Sequence, residues 1–269
     1  MQYDPIKKSL GKVFNRTPFL RILFYKLLDT LLLRTWHVKK EIRDWSNNRN
    51  GVQHILDAGS GFGQYTFFMS GMNRKWTVDA VDVKEEQIAD CTDFFKRIGR
   101  VNVSFAIADL TEYTKPDTFD LILSVDVMEH IEEDELVFRN FYSSLSSGGM
   151  LLISTPSDQG GSDVHDHEAE HSFIDEHVRD GYNIVDIQDK LKRAGFSKTT
   201  ARYDYGKSGQ IGWRLSMKYP ILMLNASKLF FIILPIYYLI TFPFALIFNW
   251  IDVTKPHKTG TGLIVKAYK

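Results

Sequence analysis

The stretch that decides the fold is Ile55-Leu56-Asp57-Ala58-Gly59-Ser60-Gly61-Phe62-Gly63. A short apolar run passes directly into three glycines at alternate positions, and a helical pattern follows from about Gln64 to Met72. Glycine permits a tight turn and a close approach of the backbone, and a helix N-terminus offers free N–H groups. The pattern therefore predicts a strand, a turn and a helix, with a nucleotide-like ligand at the carboxyl end of the strand.

The rest of the chain alternates strand-like and helix-like runs. Strands are predicted at 54–58, 76–82, 103–108, 119–125, 150–154, 199–205 and 262–268, and helices at about 64–72, 85–98, 132–145 and 184–194. Gly148-Gly149 is expected to end the third of these helices. Such alternation predicts an α/β protein with a Rossmann-like, doubly wound, seven-stranded sheet and helices on both faces.

Composition excludes several classes of protein. With 44% hydrophobic and 25% charged residues over 269 positions, the chain is typical of a globular protein with a core. The balance of 33 basic and 33 acidic side chains lacks the footprint of a nucleic-acid binder, so no nucleic-acid partner is expected. One cysteine cannot form an intramolecular disulfide or a cysteine-based zinc finger. No cleavable signal peptide is expected, because charged residues interrupt the apolar stretch near the start.

An acidic residue ends the second predicted strand. The Asp82 carboxylate at this place can accept hydrogen bonds from both hydroxyls of a ribose. The dinucleotide fingerprint G-x-G-x-x-G would need a glycine at position 64, where this chain has Gln64. The nicotinamide cofactors are therefore disfavoured.

Five ordered motifs resemble those of the class I S-adenosylmethionine-dependent methyltransferases. They are ILDAGSGFG (55–63), VDAVD (78–82), FAIADL (105–110), FDLILSVDVMEHI (119–131) and GGMLLISTP (148–156). The segment EHVRDGYNIVDIQDKLKRAGF (176–196) is similar to the loop and helix that follow the family's fifth strand. The resemblance covers about residues 52–206, resumes at 260–269, and implies S-adenosylmethionine as the cofactor.

The resemblance also implies which residues bind the cofactor. The glycines would shape the turn around its methionine part, with one aspartate beneath the amino group and another on the ribose. A third aspartate and the adjacent leucine backbone would meet the adenine, and Ser124, with Val125, would border the sulfonium. The implied set is Asp57, Gly59, Ser60, Gly61, Gly63, Asp82, Val83, Asp109, Leu110 and Ser124. The alternative for Asp109 is a simple turn cap.

The segment after the fourth strand, Asp126-Val127-Met128-Glu129-His130, contains the catalytic candidates. It is similar to ubiquinone-biosynthesis O-methyltransferases and small-RNA 2′-O-methyltransferases, which hold a divalent metal with an acidic residue, two spacers and Glu-His. His130 and Asp126 are thus candidates for a base or substrate contact. Asp126, Glu129 and His130 are candidate ligands of a metal such as Mg²⁺, with the first two expected on one helical turn. A structural role is the alternative, because Glu-His is common at this place without a metal.

A second group of histidines follows the fifth strand. His165, His167, His171 and His177 lie among acidic residues in a loop that, in this fold, overhangs the active site. We expect a mobile lid here, with a metal site as the alternative.

Residues 229–251 form an apolar run of 23 residues without a charge. As a helix it would extend about 34 Å, enough to cross a bilayer. If the flanking strands pair in one sheet, however, the segment must leave and return on the same side. Pro235 and Pro243 favour a bent helix or a hairpin within the run, so we predict a re-entrant or interfacial hairpin. A buried dimerisation or lid segment is the alternative.

The N-terminal segment is basic and apolar. Residues 1–44 carry ten Lys/Arg and four Asp/Glu. Thr17-Pro18 predicts the start of a helix that extends to about Trp45. Such a helix can lie on an anionic membrane surface or pack on the core.

These observations predict four regions: a basic amphipathic helical region (1–50), a methyltransferase core (51–206), an apolar helical insertion (207–259) and a final core strand (260–269). The predicted function is methyl transfer to an apolar or lipid-linked acceptor by an enzyme bound peripherally or monotopically at the inner face of the membrane. The alternatives are a soluble small-molecule O-methyltransferase whose insertion makes a homodimer, and a non-catalytic cofactor-binding module.

Overall fold

The computed structural model describes residues 17–47, 49–160, 178–227 and 229–269. Its strands are β1 (Gln53–Ala58), β2 (Trp76–Asp82), β3 (Val103–Ile107), β4 (Phe119–Val125), β5 (Leu145–Pro156), β6 (Lys198–Asp204) and β7 (Gly262–Tyr268). Its helices are α1 (Pro18–Leu31), α2 (Leu33–Ser46), α3 (Gln64–Met72), α4 (Glu85–Arg97), α5 (Asp134–Ser144), α6 (Ile184–Arg193), α7 (Lys207–Trp213), α8 (Tyr219–Ala226) and α9 (Phe230–Thr254). The four histidines of the predicted lid lie outside the described residues.

One seven-stranded sheet organises the chain in the order β3-β2-β1-β4-β5-β7-β6. β7 is antiparallel to both neighbours, and the other pairs are parallel. The strand order reverses between β1 and β4, which pair side by side. This topological switch point is where ligands bind in open α/β sheets. The predicted α/β fold with seven strands is confirmed.

The predicted N-terminal helix is two helices, not one. Thr17 caps α1 and Pro18 follows it, as expected, but Leu32 has an extended backbone (φ −91°, ψ 111°) and separates α1 from α2. After the break, Val38 and Ile42 of α2 are fully buried against the sheet. Before it, α1 packs instead on α4 through the Tyr25, Phe94 and Phe95 cluster. A single straight helix could not pack on both the sheet and α4.

Arg21 ties α1 to the glycine turn. The residue is buried, and its guanidinium donates to Tyr25 Oη (2.8 Å), Asp90 Oδ2 (2.6 Å) and the Phe62 carbonyl (3.0 Å). It also lies 4.6 Å from the ring centroid of Phe94. A buried guanidinium is tolerated because its donors are paired. The Phe62 carbonyl belongs to the glycine turn, so α1 fixes one side of that turn.

The apolar insertion is a helical hairpin built from two arms. A π-helical turn (Arg214–Lys218) joins α7 to α8 in the first arm, and α9 is the second arm. Of the two expectations for the apolar run, a bent helix or a hairpin, the hairpin turn inside the run is wrong, because α9 continues for 25 residues with Pro235 and Pro243 in its interior. The chain instead reverses between α8 and α9, before the apolar run begins, so the prolines need not form a turn.

The two arms approach closely and satisfy each other's backbone. A Cβ atom at Gly212 would lie 2.2 Å from Asn249 Oδ1, so a larger residue there would displace the Asn249 side chain. Pro220 lacks an N–H, so it cannot donate a hydrogen bond to the carbonyls of Ser216 and Leu215, four and five residues earlier. The phenols of the second arm donate to those carbonyls: Tyr237 to Leu215 O (2.7 Å) and Tyr238 to Ser216 O (2.9 Å).

Asp252 fastens the hairpin to the core. The buried carboxylate accepts hydrogen bonds from the Tyr205 N–H (3.1 Å), Ser208 Oγ (2.9 Å) and the Gly209 N–H (2.8 Å). His37 Nε2 lies 3.0 Å from Asp252 Oδ2, while its Nδ1 faces a guanidinium nitrogen of Arg202 at 3.1 Å. Because Arg only donates, Nδ1 accepts and Nε2 donates to the carboxylate.

We expect Arg21→Met to lower the free energy of unfolding by about 3 kcal/mol, because it removes a buried charge whose partners then lose their donor. Arg97→Met is the matched control, since Arg97 pairs with Asp93 on the exposed face of α4 and should change stability by less than about 1 kcal/mol. Chemical denaturation of both variants measures the difference. Equal midpoints would contradict the bracing role of Arg21.

Candidate active site

The glycine turn has the backbone that its sequence predicts. Gly59, Gly61 and Gly63 have φ values of 82°, 51° and 73°, in the left-handed region that favours glycine. A Cβ atom at Gly59 would lie 2.2 Å from Val127 Cγ2, in the segment after β4. The turn and this segment are therefore in direct contact, and a side chain at position 59 would separate them.

Asp82 is held at the end of β2 by backbone donors. Its Oδ2 accepts a hydrogen bond from the Gly61 N–H, and its Oδ1 accepts one from the Lys84 N–H, both at 2.9 Å. Each carboxylate oxygen can accept a further hydrogen bond. The fixed carboxylate beside the turn is thus suited to two ribose hydroxyls, although its contact with the cofactor stays a prediction.

Asp57 lies beneath the turn at the end of β1. It is buried and accepts a hydrogen bond from Thr66 Oγ1 at 2.5 Å. Burial raises the pKa of this carboxyl to about 6, because the charged form loses its water. A cationic amino group bound above Asp57 would favour the ionised form.

Buried polar atoms without partners point to a ligand. Ser60 Oγ, Ser124 Oγ and Asp126 Oδ1 are buried and have no hydrogen-bond partner within the described parts of the chain. They lie at the ends of β1 and β4, on either side of the switch point. Orphaned buried polar atoms are costly unless something else satisfies them. This edge therefore fits a polar cofactor such as S-adenosylmethionine.

The predicted adenine-side residues lie at the same edge of the sheet, after β2 and β3. Asp109 is exposed, and its Oδ1 accepts hydrogen bonds from the Thr111 N–H (2.8 Å) and Oγ1 (2.7 Å), so it caps a turn. Leu110 is buried, its carbonyl accepts from Asn140 Nδ2 (2.9 Å), and Val83 is exposed. Their contacts with adenine stay predictions.

The proposed metal ligands do not come together. Asp126 has φ 54° and the helical turn begins only at Met128, so the expected shared turn with Glu129 is wrong. Glu129 is buried and accepts a hydrogen bond from Thr155 Oγ1 (3.1 Å), whereas Asp126 pairs with Arg34. His130 is exposed. Across the described residues, no group of three or more His, Cys, Asp or Glu is able to hold a metal.

Residues just before α6 and within it hold the segment after β4 in place. The Arg179 guanidinium donates to the Ile131 carbonyl (2.8 Å), and the single proton of the Tyr182 hydroxyl is shared between the Met128 carbonyl (3.1 Å) and Asp134 Oδ2. Asp134 accepts hydrogen bonds from Tyr182 Oη and from Lys190, both at 2.8 Å. The role of Arg179 and Tyr182 as supports of the candidate catalytic segment was not predicted.

Sequence analysis also missed Arg34. It lies in the first turn of α2, pairs with Asp126, and its backbone N–H donates to the Tyr205 hydroxyl at 3.0 Å. Nothing local distinguished this arginine from others in a predicted continuous helix. Arg34 reaches the site because the extended backbone at Leu32 redirects the chain between α1 and α2. Its N–H is then held by the hydroxyl of Tyr205, which follows β6.

Comparisons with known proteins agree with this geometry. Residues 55–149 match a family model described as a methyltransferase domain. Phosphoethanolamine N-methyltransferase of Triticum aestivum is 32% identical over 164 residues, covering 60% of this chain and 31% of that protein. (S)-Coclaurine N-methyltransferase of Thalictrum flavum subsp. glaucum is 29% identical over 99 residues, covering 37% of this chain and 27% of that protein. The chain thus spans about three tenths of the length of these relatives.

Solved structures share the fold. Phosphoethanolamine N-methyltransferase 2 of Haemonchus contortus, in complex with S-adenosyl-L-methionine, superposes with a TM-score of 0.63 at 17% identity, over 99% of this chain and 60% of that one. A SAM-dependent methyltransferase of Aquifex aeolicus gives 0.54 at 18% identity, over 77% and 95%. Residues 55–149 therefore match a methyltransferase domain, and the chain has the fold of the class I S-adenosylmethionine-dependent methyltransferases.

The pKa of Asp57 predicts how cofactor affinity depends on pH. Between pH 7.5 and 5 a carboxyl of pKa about 6 becomes mostly protonated, so we expect the affinity for S-adenosylhomocysteine to fall about tenfold. In the unliganded protein the raised pKa makes Asp57 lower the free energy of unfolding as pH rises from about 4 to 6.

Calorimetric titration at several pH values measures the affinity. Asp57→Asn should bind more weakly at pH 7.5 and lose this pH dependence. Asp79→Asn, on β2, is the control and should keep it. An unchanged profile in Asp57→Asn would show that another group titrates.

Proposed function

We propose that the chain transfers the methyl group of S-adenosylmethionine to an apolar or lipid-linked acceptor at a membrane surface. The observation that carries this proposal is the placement of the hairpin. β6 ends and β7 begins at the edge of the sheet where the glycine turn lies, so the apolar hairpin between them stands beside the cofactor site.

The apolar character of the hairpin supports the membrane part. Among the described residues, one helix, α9, is both long enough and apolar enough to cross a membrane. Most of its apolar stretch is not buried in the protein. Large apolar side chains on α9 are exposed, including Ile232 at 76% and Leu239 at 78%. Exposed apolar patches of this kind mark interaction or membrane surfaces.

Charge also favours an anionic membrane surface. Between Asp204 and Asp252 the sequence has four basic residues and no acidic one. Basic residues next to apolar helices add attraction to anionic lipids. Because both ends of the hairpin are fastened to one edge of the sheet, we propose monotopic binding at the cytoplasmic face rather than a single crossing.

The chemistry needs positioning more than covalent participation. S-adenosylmethionine, when bound, supplies a methyl group on a positively charged sulfur. The turn and Asp82 would orient the cofactor, and Ser124 would lie near the reacting centre. Asp126 Oδ1, buried and free of partners in the described structure, would accept a hydrogen bond from the N–H or O–H of the acceptor. No metal enters this proposal, because the three expected ligands do not form a site.

A soluble methyltransferase for a small-molecule acceptor is the second candidate. It is favoured by the names of the relatives, which are phosphoethanolamine and coclaurine N-methyltransferases. In that case the hairpin would pair with the hairpin of a second copy. The two candidates differ in what covers the exposed apolar face.

Cofactor binding tests the methyltransferase part. We expect Asp82→Ala to weaken binding of S-adenosylhomocysteine at least about tenfold in calorimetry, since it removes a charged acceptor and the anchor of the Gly61 N–H. Asp79→Ala removes a carboxylate from the same strand, where it pairs with Lys115, and should bind normally. Absence of binding by folded wild-type protein would contradict the cofactor assignment.

Vesicle flotation tests the membrane part. The wild-type protein should float with vesicles of phosphatidylcholine and phosphatidylglycerol. The double variant Ile232→Glu, Leu239→Glu should not, because carboxylates do not enter the bilayer core without a large cost. Val101→Glu is the control, since Val101 is 95% exposed far along the chain from the hairpin. A wild-type dimer that the double variant converts to monomer, without flotation of either, would support the second candidate.

A further inference from the structure

A guanidinium lies where the acceptor must approach Asp126. Arg34 and Asp126 form an ion pair whose side chains are 30% and 35% exposed. By contrast, the side chain of Arg21 in its pair with Asp90 is 3% exposed. The Arg34–Asp126 pair therefore faces solvent at the carboxyl edge of the sheet, whereas Arg21 is an internal brace.

The pair leaves bonding capacity on both sides. Asp126 Oδ2 contacts Arg34 Nη1, while Asp126 Oδ1 is buried without a partner among the residues that the structure describes. A guanidinium carries five N–H donors in a planar fork, so one contact through Nη1 leaves donors for a second anion. A ligand can thus bind both residues at once, with an oxyanion on Arg34 and a hydrogen-bond donor on Asp126.

The surroundings of Arg34 suit an anion. The Tyr205 hydroxyl accepts a hydrogen bond from the Arg34 N–H at 3.0 Å and can donate its own proton. Burial raises the pKa of Tyr65 and Tyr205 to about 12, so both phenols stay neutral donors. Burial also raises the pKa of the Asp204 carboxyl, whose charge interacts with that of Arg34.

We propose that Arg34 binds an oxyanion, a phosphate or a carboxylate, of the methyl acceptor while Asp126 receives the N–H or O–H that is methylated. The acceptor is then an acidic amphiphile, with its charged group at the ion pair and its apolar part toward the hairpin. This inference rests on the proposed function and names the substrate class of the same site. Arg suits the role because its fork matches the geometry of carboxylate and phosphate.

Dodecyl phosphate is the probe, used below its micelle concentration and with saturating S-adenosylhomocysteine. We expect calorimetric binding to the wild-type protein, at least about tenfold weaker binding to Arg34→Gln, and an intermediate value for Arg34→Lys. Arg43→Gln removes an exposed charge from the same helix and should bind like wild type. Asp126→Asn should bind more tightly, because Arg34 then has no competing carboxylate.

Three further ligands test which part of dodecyl phosphate the site recognises. Dodecanoate distinguishes carboxylate from phosphate, inorganic phosphate tests binding without a chain, and dodecyl maltoside tests the chain without an anion. Binding of inorganic phosphate as tight as that of dodecyl phosphate would indicate a free-phosphate site and overturn the amphiphile. Equal dodecyl phosphate affinity in wild type and Arg34→Gln, or no gain in Asp126→Asn, would overturn the role of Arg34. If S-adenosylhomocysteine binds in those experiments, the methyltransferase assignment stands independently.

Discussion

The position of β7 between β5 and β6 is the constraint on which the rest of the structure depends. Because β7 runs antiparallel to both neighbours, β6 ends and β7 begins at the carboxyl edge of the parallel strands. The glycine turn after β1 and Asp126 after β4 lie at the same edge. Any insertion between the last two strands therefore leaves and re-enters the sheet at that edge. An apolar hairpin in this place puts the site and the apolar surface side by side.

Hydrogen bonds make this neighbourhood specific. Asp252 at the foot of the hairpin accepts from the Tyr205 N–H at 3.1 Å, and the Tyr205 hydroxyl accepts from the Arg34 N–H at 3.0 Å. Arg34 in turn pairs with Asp126 at the end of β4. Four residues thus connect the hairpin to the segment after β4. On the other side of the turn, Arg21 fixes the Phe62 carbonyl from α1.

Features set by local sequence were predictable. The period of the strands, the glycine turn and Asp82 after β2 follow from short-range pattern, and the observed bounds agree closely, as at Trp76–Asp82 and Gln64–Met72. The start of α1 at Thr17-Pro18 also follows from local capping. β5 differs because it begins at Leu145 and continues through the two glycines that were expected to precede it. The register with β4 shifts at this place, from Phe119–Leu145 to Leu121–Met150, so the glycines lie in an irregularity of the strand.

Features set by tertiary contacts were not predictable. The break at Leu32 depends on two packing surfaces that the sequence does not place, and the left-handed Asp126 removes the expected helical turn. The reversal of the hairpin before α9, rather than at Pro235 or Pro243, depends on contacts between the arms, such as Tyr237 and Tyr238 with the first arm. The pairing of Arg34 with Asp126 joins residues far apart in the chain. The hydrophobic periodicity of the sequence does not predict such a long-range pair.

The central claim is that cofactor site and apolar hairpin act together on a membrane-borne acceptor. Its most direct test is to incubate the protein with S-adenosylmethionine labelled in the methyl group and vesicles made from the lipid extract of the cells that produce it. The account predicts that the wild-type protein transfers label to the chloroform-soluble fraction. The double variant Ile232→Glu, Leu239→Glu, which no longer floats with vesicles, should not transfer it. Label confined to water-soluble products from a cell extract, with equal yield from the hairpin variant, would contradict it.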